Sequence, residues 1–229
     1  MPGQEGRKGD QIYVFFLDES PLHDQIRNYS AYDHFFNWTM TYRMDSDIVR
    51  PYGWLSDRTS PRTYPPAELN WLQPRPLTAA QKEKHSHPKK KMIAWMVSNC
   101  DTLSKREDYV AMLSDIVPVD IFGICGDLQC GQTEHHNTEE CDNMLEKEYK
   151  FYLSFENSLC SDYVTEKFYR ALSLDIVPVV MGGADYKKRA PPKSYIDIND
   201  FESPEHLAEF LIKLGQDDEE YLSYFWWKV

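Results

Sequence analysis

The sequence has no run of about 20 consecutive apolar residues, the length that a membrane-spanning helix requires. Its first ten residues, MPGQEGRKGD, lack the apolar stretch of a signal peptide. Positive charge is also scarce, since 25 basic residues stand against 37 acidic ones for a net charge of −12. Proteins that bind polyanions usually carry the opposite excess, so we expect no nucleic-acid partner. An anionic ligand must be small and held by a local cluster of positive groups.

Cysteines are few and odd in number. The five are Cys100, Cys125, Cys130, Cys141 and Cys160. Their spacing matches no zinc pattern, because Cys125 and Cys130 lack a second closely spaced pair. In an oxidising compartment we expect a disulfide among Cys125, Cys130 and Cys141, although the count alone does not identify the compartment. The glycosylation sequons at Asn28 and Asn37 are weak indications of a lumenal protein.

What the chain does contain is a regular alternation of strand and helix patterns, and 41% of its residues are hydrophobic, enough for a core. The predicted strands span residues 11–17, 35–42, 91–99, 117–123, 149–155 and 176–183. The predicted helices span residues 104–116, 165–174 and 203–216. Continuous apolar strands, the first two of them predicted as buried, alternate with helices, which is typical of an α/β fold with a parallel sheet.

Residues 56–90 differ from both flanks. Six of the 14 prolines lie between residues 56 and 91, together with the basic run KEKHSHPKKK. This composition predicts a linker between two halves, with solvated lysines. The histidines with neighbours close in sequence are predicted to be solvated loop residues rather than metal ligands; they are His85, His87, His135 and His136.

Polar residues and glycines follow the predicted strands of the second half. They include Asn99, Gly123, the pair Glu156-Asn157 and the pair Gly182-Gly183. The carboxyl ends of parallel strands meet at one edge of the sheet, where ligands of such folds bind. The sequence therefore predicts a ligand site at this edge.

Two helices of this half begin with a basic residue in the first turn. Thr165 is the predicted N-cap of one, with Lys167 following; a Ser104-x-x-Glu107 capping box is predicted for the other, which carries Arg106. A lysine in the first turn opposes the helix dipole, and such a placement is favourable where the lysine and the helix N-terminus face the same anion. Taken alone, Lys167 fits a solvent-exposed lysine better. Together the two cations are suited to a diphosphate. The chain has no GxGxxG or Walker motif ahead of either helix, which argues against a dinucleotide or NTPase site.

Two acidic motifs of the first half are ambiguous. Asp45-Ser46-Asp47 has the D-x-D form that holds a metal ion in many sugar transferases, but a bare D-x-D is a weak signal in an acidic chain. Glu19 follows the first predicted strand, and Pro21 forces an extended turn after it. By its position Glu19 fits a general base and a helix cap equally well.

These segments resemble the α-1,3-fucosyltransferase family, in its invertebrate-like form, whose members transfer L-fucose from GDP-fucose. The block FENSLCSDYVTEKFYRAL, residues 155–172, is similar to the signature of that family. The further matching segments are ESP (19–21), FNWTMTYRMDSDIVRPYGWL (36–55), VSN (97–99), VDIFGICG (119–126), VPVVMGG (177–183), APPKSYIDINDF (190–201) and YFWWK (224–228).

The resemblance implies two Rossmann-like lobes of the GT-B glycosyltransferase type and inverting transfer without an obligatory metal. It implies that Glu19 is the catalytic base. The residues that it assigns to GDP-fucose are Ser98, Asn99, Arg106, Asn157, Tyr163, Glu166 and Lys167. Within that set it puts Arg106 and Lys167 on the diphosphate, and it lowers the expectation of a metal at Asp45-Ser46-Asp47.

Family members carry a membrane anchor, a stem and further strands before the part that this chain matches. The resemblance therefore implies an incomplete N-terminal acceptor-side lobe at residues 1–55, a linker at 56–90 and a GDP-fucose-binding lobe at 91–229. It also implies a lumenal catalytic domain at the Golgi membrane, with the anchor only in the full-length protein.

The expected acceptor is a GlcNAc-containing glycan, and the core chitobiose of N-glycans and terminal N-acetyllactosamine both remain open. Two rival functions also remain. One is a metal-dependent transferase using Asp45-Ser46-Asp47, and the other is a catalytically inactive lumenal protein that binds a sugar nucleotide or glycan.

Overall fold

The computed structural model describes residues 8, 10–24, 28–56, 70–131 and 139–228, which form two parallel sheets. The first sheet pairs, in this order, β1 (Val14–Leu17), β2 (Trp38–Thr41) and β3 (Ile48–Val49). The strands of the second sheet are β4 (Lys91–Met96), β5 (Val119–Phe122), β6 (Tyr149–Phe155), β7 (Val177–Met181) and β8 (Ile196–Asp197). Their spatial order is β5-β4-β6-β7-β8.

Six α-helices accompany the sheets in the described part of the chain. They are α1 (Ala79–His85), α2 (Arg106–Ser114), α3 (Glu139–Glu148), α4 (Glu166–Ser173), α5 (Pro204–Gln216) and α6 (Asp218–Leu222). Among the residues described, none of these helices has the length and apolarity needed to cross a bilayer.

The second sheet is buried on both faces, as its continuous apolar strands require. On one face Phe151 and Leu153 of β6 pack with Leu113 of α2 and Leu211 of α5. On the other face Tyr152 packs with residues of α3 and α4. Because successive strand side chains point to opposite faces, one strand supplies both layers. The predicted α/β class with parallel sheets is confirmed, and all six predicted strands are present.

The first strand differs from its prediction in burial. Phe16 of β1 is 51% exposed and Val14 is also exposed, so β1 is not the buried strand that its apolar composition predicted. The strand β2, also predicted as buried, is only partly so, since Trp38 is exposed. The guanidinium of Arg50 lies 5.0 Å from the centre of the Phe16 ring. Apolar composition alone does not reveal whether another layer covers a strand.

The start of α2 also differs from its prediction. Lys105 stands at the N-cap with a left-handed backbone (φ 54°) and makes no side-chain cap bond. The Ser104–Glu107 capping box is wrong. Glu107 instead accepts hydrogen bonds from the backbone and hydroxyl of Thr102, at 2.8 Å each, while Ser104 donates to the carbonyl of Glu156 at 2.8 Å. The N-cap therefore lies one position after the predicted Ser104.

The segment predicted as a linker contains an ordered, partly buried stretch. Thr78 forms a reciprocal capping box with Gln81 and starts α1. His85 is 2% exposed, and Lys89 is buried as well. The prediction of solvated side chains is therefore wrong at these two positions, whose buried partners come from distant parts of the chain. Residues 57–69, together with His135 and His136, lie outside the described residues.

Four cysteines form two disulfides, Cys100–Cys125 and Cys130–Cys141. The second pair confirms the expected disulfide among Cys125, Cys130 and Cys141. The first joins the loop after β4 to the loop after β5, so it ties two loops at the carboxyl edge of the second sheet. Cys160 is a free cysteine within the described part of the chain.

Candidate active site

Glu19 lies in the turn after β1, where it faces the second sheet. The hydroxyl of Tyr163 donates a hydrogen bond of 2.9 Å to Glu19 Oε2, although 144 residues separate them. Tyr163 is buried between the rings of Tyr42 and Tyr52, whose centres lie 4.9 and 6.1 Å away. Burial, the neighbouring Tyr52 and the bond to Glu19 all raise the pKa of Tyr163, so this hydroxyl stays protonated and acts as a donor. The contact places a carboxylate beside residues 155–172, the segment similar to the family signature, which we call the donor block.

The predicted donor residues lie past the carboxyl ends of the strands of the second sheet, or in the helices that follow. Ser98 and Asn99 are exposed after β4, and Asn157 is half-buried after β6. The backbone carbonyl of Asn157 accepts a hydrogen bond of 3.3 Å from the amide of Ser104, just before α2. The loops that lead to α2 and α4 therefore meet here.

Arg106 is buried, with only 2% of its surface exposed. Its guanidinium donates to the carbonyls of Phe155 (2.6 Å) and Asn99 (3.1 Å) and lies 5.6 Å from the ring centre of Trp95. Burial lowers the pKa of Arg106, and the negative charges of Glu156 and Glu107 oppose that shift. Arg106 thus fixes the ends of two neighbouring strands.

Lys167 lies in the first turn of α4, as predicted, and its side chain is 21% exposed. Its ammonium donates to the Thr165 hydroxyl at 2.9 Å and pairs with Glu166 at 3.3 Å and with Glu156 at 3.5 Å. Thr165 is the N-cap residue, as predicted, but its hydroxyl donates to Glu156 rather than accepting from a backbone amide of its helix. Lys167 is therefore held at the helix start by its neighbours.

Glu156 is the fully buried carboxylate of this cluster. It accepts hydrogen bonds from the Thr165 amide (2.8 Å) and the Thr165 hydroxyl (2.9 and 3.1 Å). Burial raises the pKa of Glu156, against the charge of Lys167 and the Thr165 donors. Its negative charge attracts both predicted diphosphate cations.

Two buried polar atoms at this edge are left without a partner. In the described part of the chain, neither Arg106 Nε nor Asn157 Oδ1 has a hydrogen-bond partner. A buried donor and a buried acceptor left unpaired are costly, and ligand sites commonly satisfy such groups on binding. Both atoms belong to residues that the family resemblance assigns to GDP-fucose.

Asp45 and Asp47 are occupied by protein partners. Asp45 pairs with Arg43 at 2.6 Å, and Asp47 accepts from the amide and hydroxyl of Thr39 at 2.7 and 2.9 Å. Across the described ranges, no group of three or more His, Cys, Asp or Glu side chains has a geometry suited to a metal ion.

Sequence reasoning gave no individual role to three residues that build this site. Ser20 and Ser158 are fully buried and hydrogen-bonded to each other at 2.7 Å, and Glu156 supports Lys167. All three lie inside the matched segments ESP and FENSLCSDYVTEKFYRAL. Their place in those motifs was the available signal, but their function depends on contacts between distant segments.

This chain is similar to known fucosyltransferases in sequence and in fold. The family model for glycosyltransferase family 10 (fucosyltransferase), C-terminal part, matches residues 86–229, and the model for the fucosyltransferase N-terminal part matches residues 1–53. A crystal structure of an alpha1,3-fucosyltransferase with GDP-fucose superposes with a TM-score of 0.61 at 22% identity. The superposition covers 94% of this chain and 66% of that one, and it supports the GT-B fold predicted from the sequence.

Two curated relatives come from Drosophila melanogaster. The alpha-(1,3)-fucosyltransferase C is 44% identical over 100% of this chain and 52% of its own length. The glycoprotein 3-alpha-L-fucosyltransferase A is 39% identical over 95% of this chain and 40% of its own length. The chain thus spans about half the length of these relatives. With a family model covering residues 86–229, the chain belongs to glycosyltransferase family 10, the fucosyltransferases.

Proposed function

We propose that the protein containing this chain transfers L-fucose from GDP-fucose in α-1,3 linkage to GlcNAc of a glycan, with inversion at the sugar carbon. The single observation that carries the proposal is the 2.9 Å hydrogen bond from Tyr163 to Glu19. It brings a carboxylate of the first sheet's lobe to the block of the second lobe that carries the predicted donor residues. The relatives named as fucosyltransferases support fucose transfer and the linkage, and the similar crystal structure with GDP-fucose supports the donor.

In this mechanism Glu19 removes the proton of the acceptor hydroxyl as that oxygen attacks the fucose carbon. The GDP leaves from the opposite face, which inverts the configuration. Negative charge grows on the departing diphosphate, where Lys167, Arg106 and the amide groups at the start of α4 stabilise it. Fixed cations there favour the transition state over the ground state.

The remaining assignments follow the family resemblance. Ser98, Asn99, Asn157, Tyr163 and Glu166 supply hydrogen-bonding groups for the nucleotide and sugar. The transfer requires no divalent metal, because protein cations neutralise the diphosphate. The catalytic domain works in the Golgi lumen, joined to a membrane anchor in the full-length protein. The glycoprotein activity in the name of one relative favours a glycoprotein acceptor.

The decisive variant is Glu19→Gln in the full-length protein, assayed with excess EDTA. The amide keeps the shape of the side chain but does not accept a proton, so kcat should fall by about 10²–10⁴-fold. GDP affinity should not change, because the predicted nucleotide contacts belong to the other lobe. Asp18→Asn is the matched control, since Asp18 is adjacent and paired with Arg50.

Each outcome has a definite meaning. Near-normal kcat in Glu19→Gln would refute the assignment of the base and make Asp18 the next candidate. Loss of all turnover in EDTA, restored by a divalent metal, would refute metal-independent transfer. GDP binding without any transfer by the wild type would favour the catalytically inactive binding protein.

A further inference from the structure

The turn that carries Glu19 is joined to the donor block by more than one bond. Beside the contact between Tyr163 and Glu19, the hydroxyl of Ser20 donates to the hydroxyl of Ser158 at 2.7 Å. A ring nitrogen of His23 also lies 3.4 Å from the carbonyl oxygen of Asn157. Three contacts therefore fasten this turn to residues 157–163.

The Ser20–Ser158 bond is the buried member of this group, with both side chains 0% exposed. Hydroxyl groups removed from water need a partner, and here each serine serves the other across 138 residues of chain. Each hydroxyl is engaged by the other, so the bond links two segments of the protein.

We propose that Ser20 and Ser158 are positioning residues that hold the Glu19 carboxylate in place relative to bound GDP-fucose. This role rests on the proposed function, in which Glu19 is the base. Ser20 is the next residue after Glu19, and Pro21 restricts its backbone to extended conformations. A displacement of Ser20 is therefore transmitted directly to the Glu19 carboxylate.

Three variants of the full-length protein test the proposal: Ser20→Ala, Ser158→Ala and the double variant. Misplacing a catalytic group by about 1 Å costs about 10²-fold, so each single variant should lower kcat by about 10- to 100-fold. GDP affinity should stay at the wild-type value, because the nucleotide contacts are untouched. The double variant should lose no more kcat than the singles, since one bond is broken in all three.

The melting temperature separates positioning from plain stabilisation. Each single variant leaves one buried hydroxyl unpaired and should melt at a lower temperature. In the double variant both hydroxyls are replaced by hydrogen, which removes that penalty, so the melting temperature should recover towards the wild type. Under our proposal kcat stays low although stability recovers.

Ser194→Ala is the matched control. Ser194 is also buried, and its hydroxyl donates to the carbonyl of Pro191 at 2.7 Å. Its loss should lower the melting temperature and leave kcat unchanged.

The two proposals fail in different ways. Wild-type kcat in both single variants, or kcat that recovers with stability in the double variant, would overturn the positioning role alone. A wild-type protein that binds GDP but transfers no fucose would overturn the proposed function, and this role with it.

Discussion

At the residue scale, the two cations predicted to bind the diphosphate differ in what else they hold. Arg106 is buried and supports the carbonyls of Phe155 and Asn99 at the ends of β6 and β4. Lys167 is partly exposed and contacts only side chains of its own neighbourhood among the bonds described. Arg106 therefore supports backbone carbonyls, whereas the Lys167 ammonium contacts side chains.

Arg106→Ala and Lys167→Ala should each weaken GDP binding by about 1.5–3 kcal/mol, the range for hydrogen bonds to charged groups. The double variant should be non-additive, because both cations face one diphosphate. Arg106→Ala should also lower the melting temperature more than Lys167→Ala does, since it leaves the buried carbonyl of Phe155 without its donor. Titration calorimetry with GDP and thermal unfolding measure the two effects.

The control for these variants is Lys213→Ala. Lys213 is exposed on α5 close to Gly215, whose nearest neighbour is Met92 at the start of β4, so it lies at the opposite edge of the sheet. Its loss should leave GDP affinity unchanged. Strictly additive losses in Arg106→Ala and Lys167→Ala would contradict a shared diphosphate site.

At the element scale, the donor block depends on close backbone packing after β7. A Cβ on Gly183 would lie 2.6 and 2.7 Å from the backbone carbon and oxygen of Leu159 and 2.8 Å from the carbonyl oxygen of Cys160. Backbone atoms do not move aside as a flexible side chain does. The glycine thus lets the segment after β7 contact the loop between β6 and α4.

Gly183→Ala should therefore displace residues 159–160 and weaken GDP binding. The overpacked methyl group should also lower the free energy of unfolding by about 1–3 kcal/mol. Gly215→Ala in α5 is the comparison, because its Cβ would meet only the flexible side chains of Met92 and Lys150. Helix propensity also favours alanine there. GDP affinity at the wild-type value in Gly183→Ala would show that the loop adapts without affecting the site.

At the scale of the whole molecule, one buried carboxylate joins three distant segments. Asp175, which precedes β7, contacts His85 Nδ1 at 2.7 Å and Lys228 Nζ at 3.2 Å. These partners come from the end of α1 and from the end of the described chain. Burial acts to raise the pKa of Asp175, but the hydrogen bond from His85 and the charge of Lys228 outweigh it and lower the pKa.

The sign of this shift predicts acid sensitivity. A carboxylate whose pKa is lower in the folded state contributes stability above its unfolded pKa, about 3.9, and loses that contribution as pH falls through the folded value. Asp175→Asn should therefore be less stable than the wild type at neutral pH. The difference in unfolding free energy between the two should shrink below about pH 4.

Denaturant unfolding at several pH values measures this difference. Asp218→Asn serves as the control, because the Asp218 side chain is 87% exposed and its pairing with Lys150 is screened by water. A difference between wild type and Asp175→Asn that is constant from pH 7 to pH 3 would contradict the prediction.

Local patterns in the sequence were sufficient for the order of strands and helices in the second lobe. Apolar runs and helical spacing predicted β4, α2, β5, β6, α4, β7 and α5, because each pattern reflects burial of one element on a layered sheet. The carboxyl edge of that sheet followed from the parallel topology, and Lys167 was correctly placed in the first turn of α4. The polar helices α1 and α3 were missed, because few of their residues are apolar.

The sequence alone determined the α/β class and the family, because these depend on local periodicity and on motifs contiguous in the chain. Only the tertiary structure decided the contact of Glu19 with Tyr163, the Ser20–Ser158 bond and the burial of His85 against Asp175. Each of these joins residues at least 90 positions apart. Such contacts arise from the packing of whole elements against each other, which no short window of sequence records.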